Sequence, residues 1–174
     1  MALNRPRLPR LDLFLSAAVI ALLDQASKVL AQALLPPRVP LPVIKRVLYL
    51  TYTENTGAAF GLFRDSRFLL TALSLLFLLV VIAFGATTSI SSRGTRLALG
   101  AGIGGAVSNL IDRFTKHYVI DFIDFRVWPV FNLADVAIVV GIGWVILGYL
   151  LRHPKSTAPG DVQPPPERKD DNVS

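Results

Sequence analysis

From its first residues the chain alternates long apolar runs with short polar breaks. Four runs stand out: Leu11–Leu35, Phe68–Thr88, Leu97–Phe114 and Asn132–Leu151. Each approaches the ~20 residues that carry a helix across a ~30 Å hydrocarbon layer, the third being short and glycine-rich. The stretch Phe68–Phe84 contains no charged residue, so a soluble domain would have to hide it completely, whereas a bilayer hides it at no such cost. The pattern predicts an all-α integral membrane protein with four transmembrane helices in a single domain, residues 1–151. After it, residues 152–174, with Pro164, Pro165 and Pro166 set among charges, read as a disordered cytoplasmic tail.

The longest polar break follows the first run. Within it, Val43–Thr53 is rich in β-branched and aromatic residues and comes after a proline cluster, which predicts a strand or hairpin at the membrane surface. Glu54-Asn55-Thr56-Gly57 then signals a turn. A small extracytoplasmic β element therefore joins the four helices.

Composition strengthens the membrane reading: 52% of residues are hydrophobic and 17% charged, and the mean hydropathy is +0.52. The net charge of +6 resides in the apolar body, because the tail from Arg152 onward carries as many acidic as basic residues. Lys and Arg outside the runs number nine on the N-terminus, the Ser89–Arg96 turn and the tail, against seven in the two longer loops. Because short flanks set orientation, both termini are expected in the cytoplasm and the two longer loops outside. Arg5, Arg7 and Arg10 before the uncharged core Leu13–Leu23, with Ala31-Gln32-Ala33 beyond, imitate a secretory signal peptide. Asp24 and Lys28 interrupt that reading, and the segment is taken as a permanent helix.

Several chemistries drop out. The chain has no cysteine, hence no thiolate nucleophile, disulfide or sulfur-built zinc site. His117 and His153 fall on opposite sides of the membrane, so neither a histidine zinc site nor a serine triad is assembled, and no metal or cofactor is expected. Ser27 and Lys28 are adjacent and point to different faces, a poor dyad. Gly100–Gly105 fits a dinucleotide fingerprint by letter, but no strand precedes it. It reads as a small-residue packing face. No basic stripe interleaved with aromatics suggests a nucleic-acid partner.

The scarce polar residues inside the runs are more informative. At 1.5 Å per residue from a cytoplasmic start, Asp24 lies about 20 Å up, Asn109, Asp112 and Arg113 about 18 to 24 Å, and Asn132 and Asp135 within about 5 Å of the outer end. Asp24 with Lys28, Asn109 with Arg113, and Asn132 with Asp135 share helix faces. Structural salt bridges and hydrogen bonds, Asp24 with Lys28 or Asp112 with Arg113, would account for part of this set, but not for its gathering at one depth. A polar pocket open to the outside accounts for the whole. Asp121 and Asp124 reach the same surface, and the turn at Trp128-Pro129 permits the chain to fold back and oppose one of them to Asp135. Two carboxylates in a desolvated site cannot both ionise cheaply, so one holds a proton while the other activates water, a route to amide hydrolysis without metal. The alternative is a small proton or ion transporter using the same carboxylates, which would need a polar path through the inner half.

These motifs are similar to those of the bacterial lipoprotein signal peptidases, the signal peptidase II family, from Asp24 to Asp135. The resemblance rests on Asp24-Gln25-x-x-Lys28, Asn55-Thr56-Gly57-Ala58-Ala59-Phe60-Gly61, Gly105 to Arg113, Val119-Ile120-Asp121-Phe122 and Phe131-Asn132-Leu133-Ala134-Asp135. It implies a plasma-membrane aspartyl endopeptidase that cuts prolipoproteins immediately before a diacylglyceryl-modified lipobox cysteine. By motif position it assigns catalysis to Asp121 and Asp135, not Asp124, with Asp24, Lys28, Asn55, Gly57, Asn109, Arg113 and Asn132 as substrate-binding or supporting residues. The implied partners are diacylated prolipoproteins and membrane lipid, with a monomer expected. Ser108 stands where many relatives have glycine, a small-for-small change expected to be harmless.

Overall fold

The computed structural model describes residues 11–56, 67–87, 90 and 92–152. Gly57, the rest of the Ala58–Gly61 motif, the N-terminal arginines and the tail beyond Arg152 lie outside the described residues. The elements in order are α1 (Leu11–Leu34), β1 (Leu41–Ile44), β2 (Leu48–Asn55), α2 (Arg67–Thr87), α3 (Arg93–Thr115), β3 (Val119–Asp124) and α4 (Leu133–Arg152).

The glycine-rich α3 is the central helix, packed most extensively against α4 and α1 and less so against α2. Its small residues make that possible. Successive glycines serve opposite neighbours: a Cβ at Gly104 would collide with the carbonyl oxygen of Ala17 on α1, and one at Gly105 would come 2.5 Å from that of Ala134 on α4. Backbones this close require the absence of side chains. A compact apolar cluster of Leu13, Val81, Leu99 and Val145 draws one residue from each helix. The outward faces are apolar too, as at Leu22 (70% exposed) and Val139 (71%), the reverse of a water-soluble bundle. By length and composition, α1 alone among the described helices is both long and apolar enough to cross a membrane.

Helix α3 starts at Arg93, four residues before the expected Leu97. Ser92 caps it, its hydroxyl accepting from the Thr95 N–H, and the Arg96 guanidinium is held in two-pronged fashion by the Asp12 carboxylate of α1 at 2.8–2.9 Å. A cap and a neutralised cation extend the helix into sequence that reads as a polar turn.

The expected hairpin is present as β1 and β2, and β3 completes an antiparallel sheet of order β1-β2-β3. In it Tyr49 faces Asp124, Thr53 faces Asp121 and Asn55 faces Val119, with a shift between Leu50 and Thr53. The short Arg126–Val130 connection closes because Phe131 bridges back to Ile123, its carbonyl accepting from the N–H groups of Phe122 and Ile123. The sheet thus delivers β3 directly to the first turn of α4.

Candidate active site

Strand alternation separates the two aspartates that the residue pattern left open. Asp121 is 2% exposed and turns toward α4, accepting from Asn132 Nδ2 at 2.7 Å and Asn55 Nδ2 at 2.8 Å. Asn55 reaches it diagonally, being paired with Val119 two residues away on the same sheet face. Asp124, three residues on, faces the other way and accepts from Thr51 Oγ1 at 2.8 Å and from the N–H of Arg126 at 2.7 Å. Burial opposes its ionisation, but the Thr51 and Arg126 donors hold Asp124 below the usual carboxylate range.

Asp135 is positioned by a capping box. Asn132 precedes the first residue of α4, and its Oδ1 accepts from the Asp135 N–H at 2.9 Å while Asp135 Oδ2 accepts from the Asn132 N–H at 3.2 Å. The other oxygen, Oδ1, accepts from Asn109 Nδ2 at 2.9 Å. Asn132 therefore ties the two carboxylates together: its backbone holds Asp135 and its amide holds Asp121. The donors that meet them are amides, and among the described residues neither aspartate forms an ion pair. Burial first, and the nearby Asp135 charge second, push Asp121 up to about 7 against the Asn55 and Asn132 donors and the more distant Lys28 ammonium.

Beneath this pair lies a second polar cluster of opposite character. Lys28, fully buried, donates to Asp24 Oδ2 at 2.6 Å, Asp112 Oδ2 at 2.9 Å and Asn109 Oδ1 at 2.8 Å. Asp24 also accepts from the Ala134 N–H at 2.8 Å, satisfying an orphan donor in the first turn of α4. Asp24 and Lys28 are closed off from the surface at 0% exposure. The expected pairing of Asp24 with Lys28 is present, whereas Asp112 pairs with Lys28 and Lys116 and not with Arg113. Adjacent residues on a helix diverge by about 100°, which turns Arg113 away from its neighbour's partner. Arg113 instead lies within electrostatic reach of Asp135 and Asp121, with Nη1 donating to the Asn109 carbonyl at 3.4 Å.

Ser108 is more than a small spacer. Its hydroxyl donates to Asp24 Oδ2 at 2.6 Å and accepts from Gln25 Nε2 at 3.0 Å, a role the glycine comparison could not suggest. Gln25, a member of the Asp24-Gln25-x-x-Lys28 motif, also donates to Asp112 Oδ1 at 3.2 Å. Among the described residues, every buried side-chain polar atom has a partner.

A cavity of about 230 Å³ opens beside the pair, lined by residues including Asn55, Phe68, Thr71, Arg113, His117 and Tyr118. Asn55 and Arg113 belong to both cavity and site. Helices, a small sheet and two amide-held carboxylates, one buried and one half-buried, define a membrane enzyme with the equipment of an aspartic peptidase. Residues 16–151 match the family described as signal peptidase (SPase) II, and the chain belongs to that family.

It is similar to the lipoprotein signal peptidase of Halothermothrix orenii, at 41% identity over 82% of this chain and 97% of the relative. It is also similar to that of Syntrophomonas wolfei, at 43% identity over 72% and 84%. Two bacterial membrane enzymes solved by the in meso method share the fold. One superposes with a TM-score of 0.74 at 24% identity over 87% of this chain and 94% of the other. The second gives 0.71 at 25% identity over 79% and 92%. None of these relatives supports the transporter alternative.

Proposed function

We propose that this chain is an intramembrane aspartic endopeptidase that removes signal peptides from prolipoproteins, cutting immediately before the diacylglyceryl-modified cysteine, with Asp121 and Asp135 as its catalytic residues. The observation that carries the reading is the pairing of buried Asp121 with half-buried Asp135 through Asn132, both met by amide donors. Asp121, pushed up to about 7, holds the proton at rest and Asp135 is the base. Asp135 takes a proton from water as the water oxygen bonds to the scissile carbonyl carbon, and Asp121 protonates the carbonyl oxygen. Collapse of the resulting diol breaks the C–N bond, returns a proton to Asp121 and delivers the proton on Asp135 to the leaving cysteine nitrogen. Asn55 and Arg113, shared between cavity and site, hold the substrate backbone.

The four helices span the plasma membrane with both termini in the cytoplasm, and the sheet and catalytic pair lie at the outer face. What supports this topology is the charge distribution between short and long loops, together with the apolar outer faces of the helices. A monomer suffices, since the described residues of one chain supply both carboxylates and their donors. Substrate and bilayer lipid are its partners, and nothing in the charge pattern favours nucleic acid. The acyl chains stay in the outer leaflet while the peptide bond before the modified cysteine enters sideways.

Purified D121N and D135N, incubated with a diacylated prolipoprotein, should each yield no product beginning with the modified cysteine by mass spectrometry. D124N should cleave normally. Retained cleavage in D121N or D135N would overturn the assignment.

A further inference from the structure

The end of the sheet farthest from the catalytic pair carries a surface that the peptidase chemistry does not use. The β1–β2 turn presents Ile44 (54% exposed) and Val47 (52%) on either side of Lys45 and Arg46. The β3–α4 loop presents Arg126, Val127 (91%) and Trp128 (63%). These two segments form one patch. The Arg126 guanidinium lies 5.3 Å from the centre of the Tyr49 ring, and the Tyr49 hydroxyl accepts from the Arg46 N–H at 3.1 Å. Of the nearby acids, Asp124 is already engaged by Thr51 and Arg126, and Glu54 lies near the other end of β2, accepting from Tyr52. Lys45, Arg46 and Arg126 against Asp124 leave the patch positive.

Two requirements coincide here. The side chains of Ile44, Val47, Val127 and Trp128 gain by leaving water, while the cations gain from anions held in one plane. The boundary between headgroups and acyl chains meets both, and tryptophan is at home there. An acidic protein or nucleic acid offers the charge but not the apolar layer. The cations are also on the side where orientation signals do not call for them: the two longer loops hold seven of the eighteen Lys and Arg residues.

We infer that the β1–β2 turn and the Arg126–Trp128 loop form a clamp for anionic phospholipid headgroups of the outer leaflet, seating the far end of the sheet on the membrane. This rests on the outward orientation argued above, but its test does not depend on catalysis.

The chain has two tryptophans, and Trp144 lies beside Gly94 at the first turn of α3, so W144F leaves Trp128 as the reporter. The protein is placed in nanodiscs of phosphatidylcholine in which a fixed fraction of either phosphatidylcholine or phosphatidylglycerol is brominated. The brominated phosphatidylglycerol should quench Trp128 more strongly than brominated phosphatidylcholine. The preference should fall with salt, and K45Q/R46Q should reduce it by about fivefold per cation removed. Equal quenching by both lipids overturns the inference, and so does a preference untouched by K45Q/R46Q. Adding D121N to W144F should leave the preference intact while cleavage is lost. A peptidase assignment that fails therefore reads differently from a lipid site that fails.

Discussion

Two clusters of aspartate, joined through Asn109, meet opposite kinds of partner in this protein. In the lower one, Asp24 and Asp112 share the Lys28 ammonium, with Lys116 adding a second cation at 3.0 Å. In the upper one, Asp121 and Asp135 meet the amides of Asn55, Asn109 and Asn132. A cation makes ionisation cheap and permanent, which suits a strut. An amide leaves the proton free to move, which suits chemistry. Asn109 joins the two levels: its oxygen accepts from Lys28 and from Asn132, which fixes its amide group to donate to Asp135.

The sharpest way to break the comparison is to make the same isosteric change in both clusters. D121N and D135N should each lower cleavage by about 10²- to 10⁴-fold, the span of a lost acid or base, with thermal midpoints in detergent not lowered. D24N and D112N should instead lower the midpoint, and with it the yield of folded protein. Turnover and unfolding measured on the same four preparations check the contrast. A D24N protein that folds normally but does not cleave would erase it.

Next in size is the strut itself. K28M leaves two buried carboxylates without their shared cation, a loss of about 3–5 kcal/mol. D24N/K28M/D112N removes the charges together and should recover part of that loss, because a buried ion pair is weak evidence of stability while half of one is a liability. Unfolding in detergent across K28M and the triple variant decides this. A triple variant less stable than K28M would show that the cluster acts through geometry rather than charge.

How much of this was readable in advance follows the range of each interaction. The helices come from local hydrophobic runs, and the Asp24–Lys28 and Asn132–Asp135 pairs from a single turn of spacing. The other two partners of Lys28 could not be read, since Asp112 and Asn109 lie on another helix. Strand β3 was also obscured. Val-Ile-Asp-Phe-Ile-Asp shows no clean alternation because the strand is buried or half-buried along its whole length, and without its register Asp121 and Asp124 are equivalent by position. The family resemblance chose between them, and strand geometry gives the physical reason. The start of α3 was missed because its extension depends on Asp12, which reaches Arg96 from another helix.

The pH response sharpens the comparison further. Asp121, pushed up from 3.8 to about 7, retains its proton below that value and loses it above, so cleavage should fall as pH rises through about 7. Stability carries the same sign. Between pH 3.8 and about 7 the folded protein binds this proton more tightly than the unfolded chain does, so ionising Asp121 costs stability that is fully lost above pH 7. D121N escapes that cost, and its advantage over the natural chain should grow with pH across that window, to no more than about 4 kcal/mol. Removing the Asn55 donor in N55A withdraws support from the ionised form, so the alkaline fall in cleavage should move to higher pH. A pH–rate profile of N55A beside the unchanged enzyme tests this, and a limb displaced downward would contradict the proposed proton on Asp121.

The smallest effect belongs to Ser108, and it tests whether the lower cluster is structural to its edge. The Ser108 hydroxyl donates one of several hydrogen bonds to Asp24, at 2.6 Å, and the carboxylate keeps Lys28 and the Ala134 N–H without it. Gln25 retains two other acceptors, the Ser108 carbonyl and Asp112. S108A should therefore cost only about 1 to 2 kcal/mol of stability, a hydrogen bond to a charged group with the acceptor still occupied. Cleavage at saturating substrate should be unchanged, because no bond from Ser108 reaches Asn109 or the catalytic pair directly. A fall in turnover without a fall in thermal midpoint would place Ser108 with the upper cluster, and the division between strut and chemistry would have to be redrawn through Asp24.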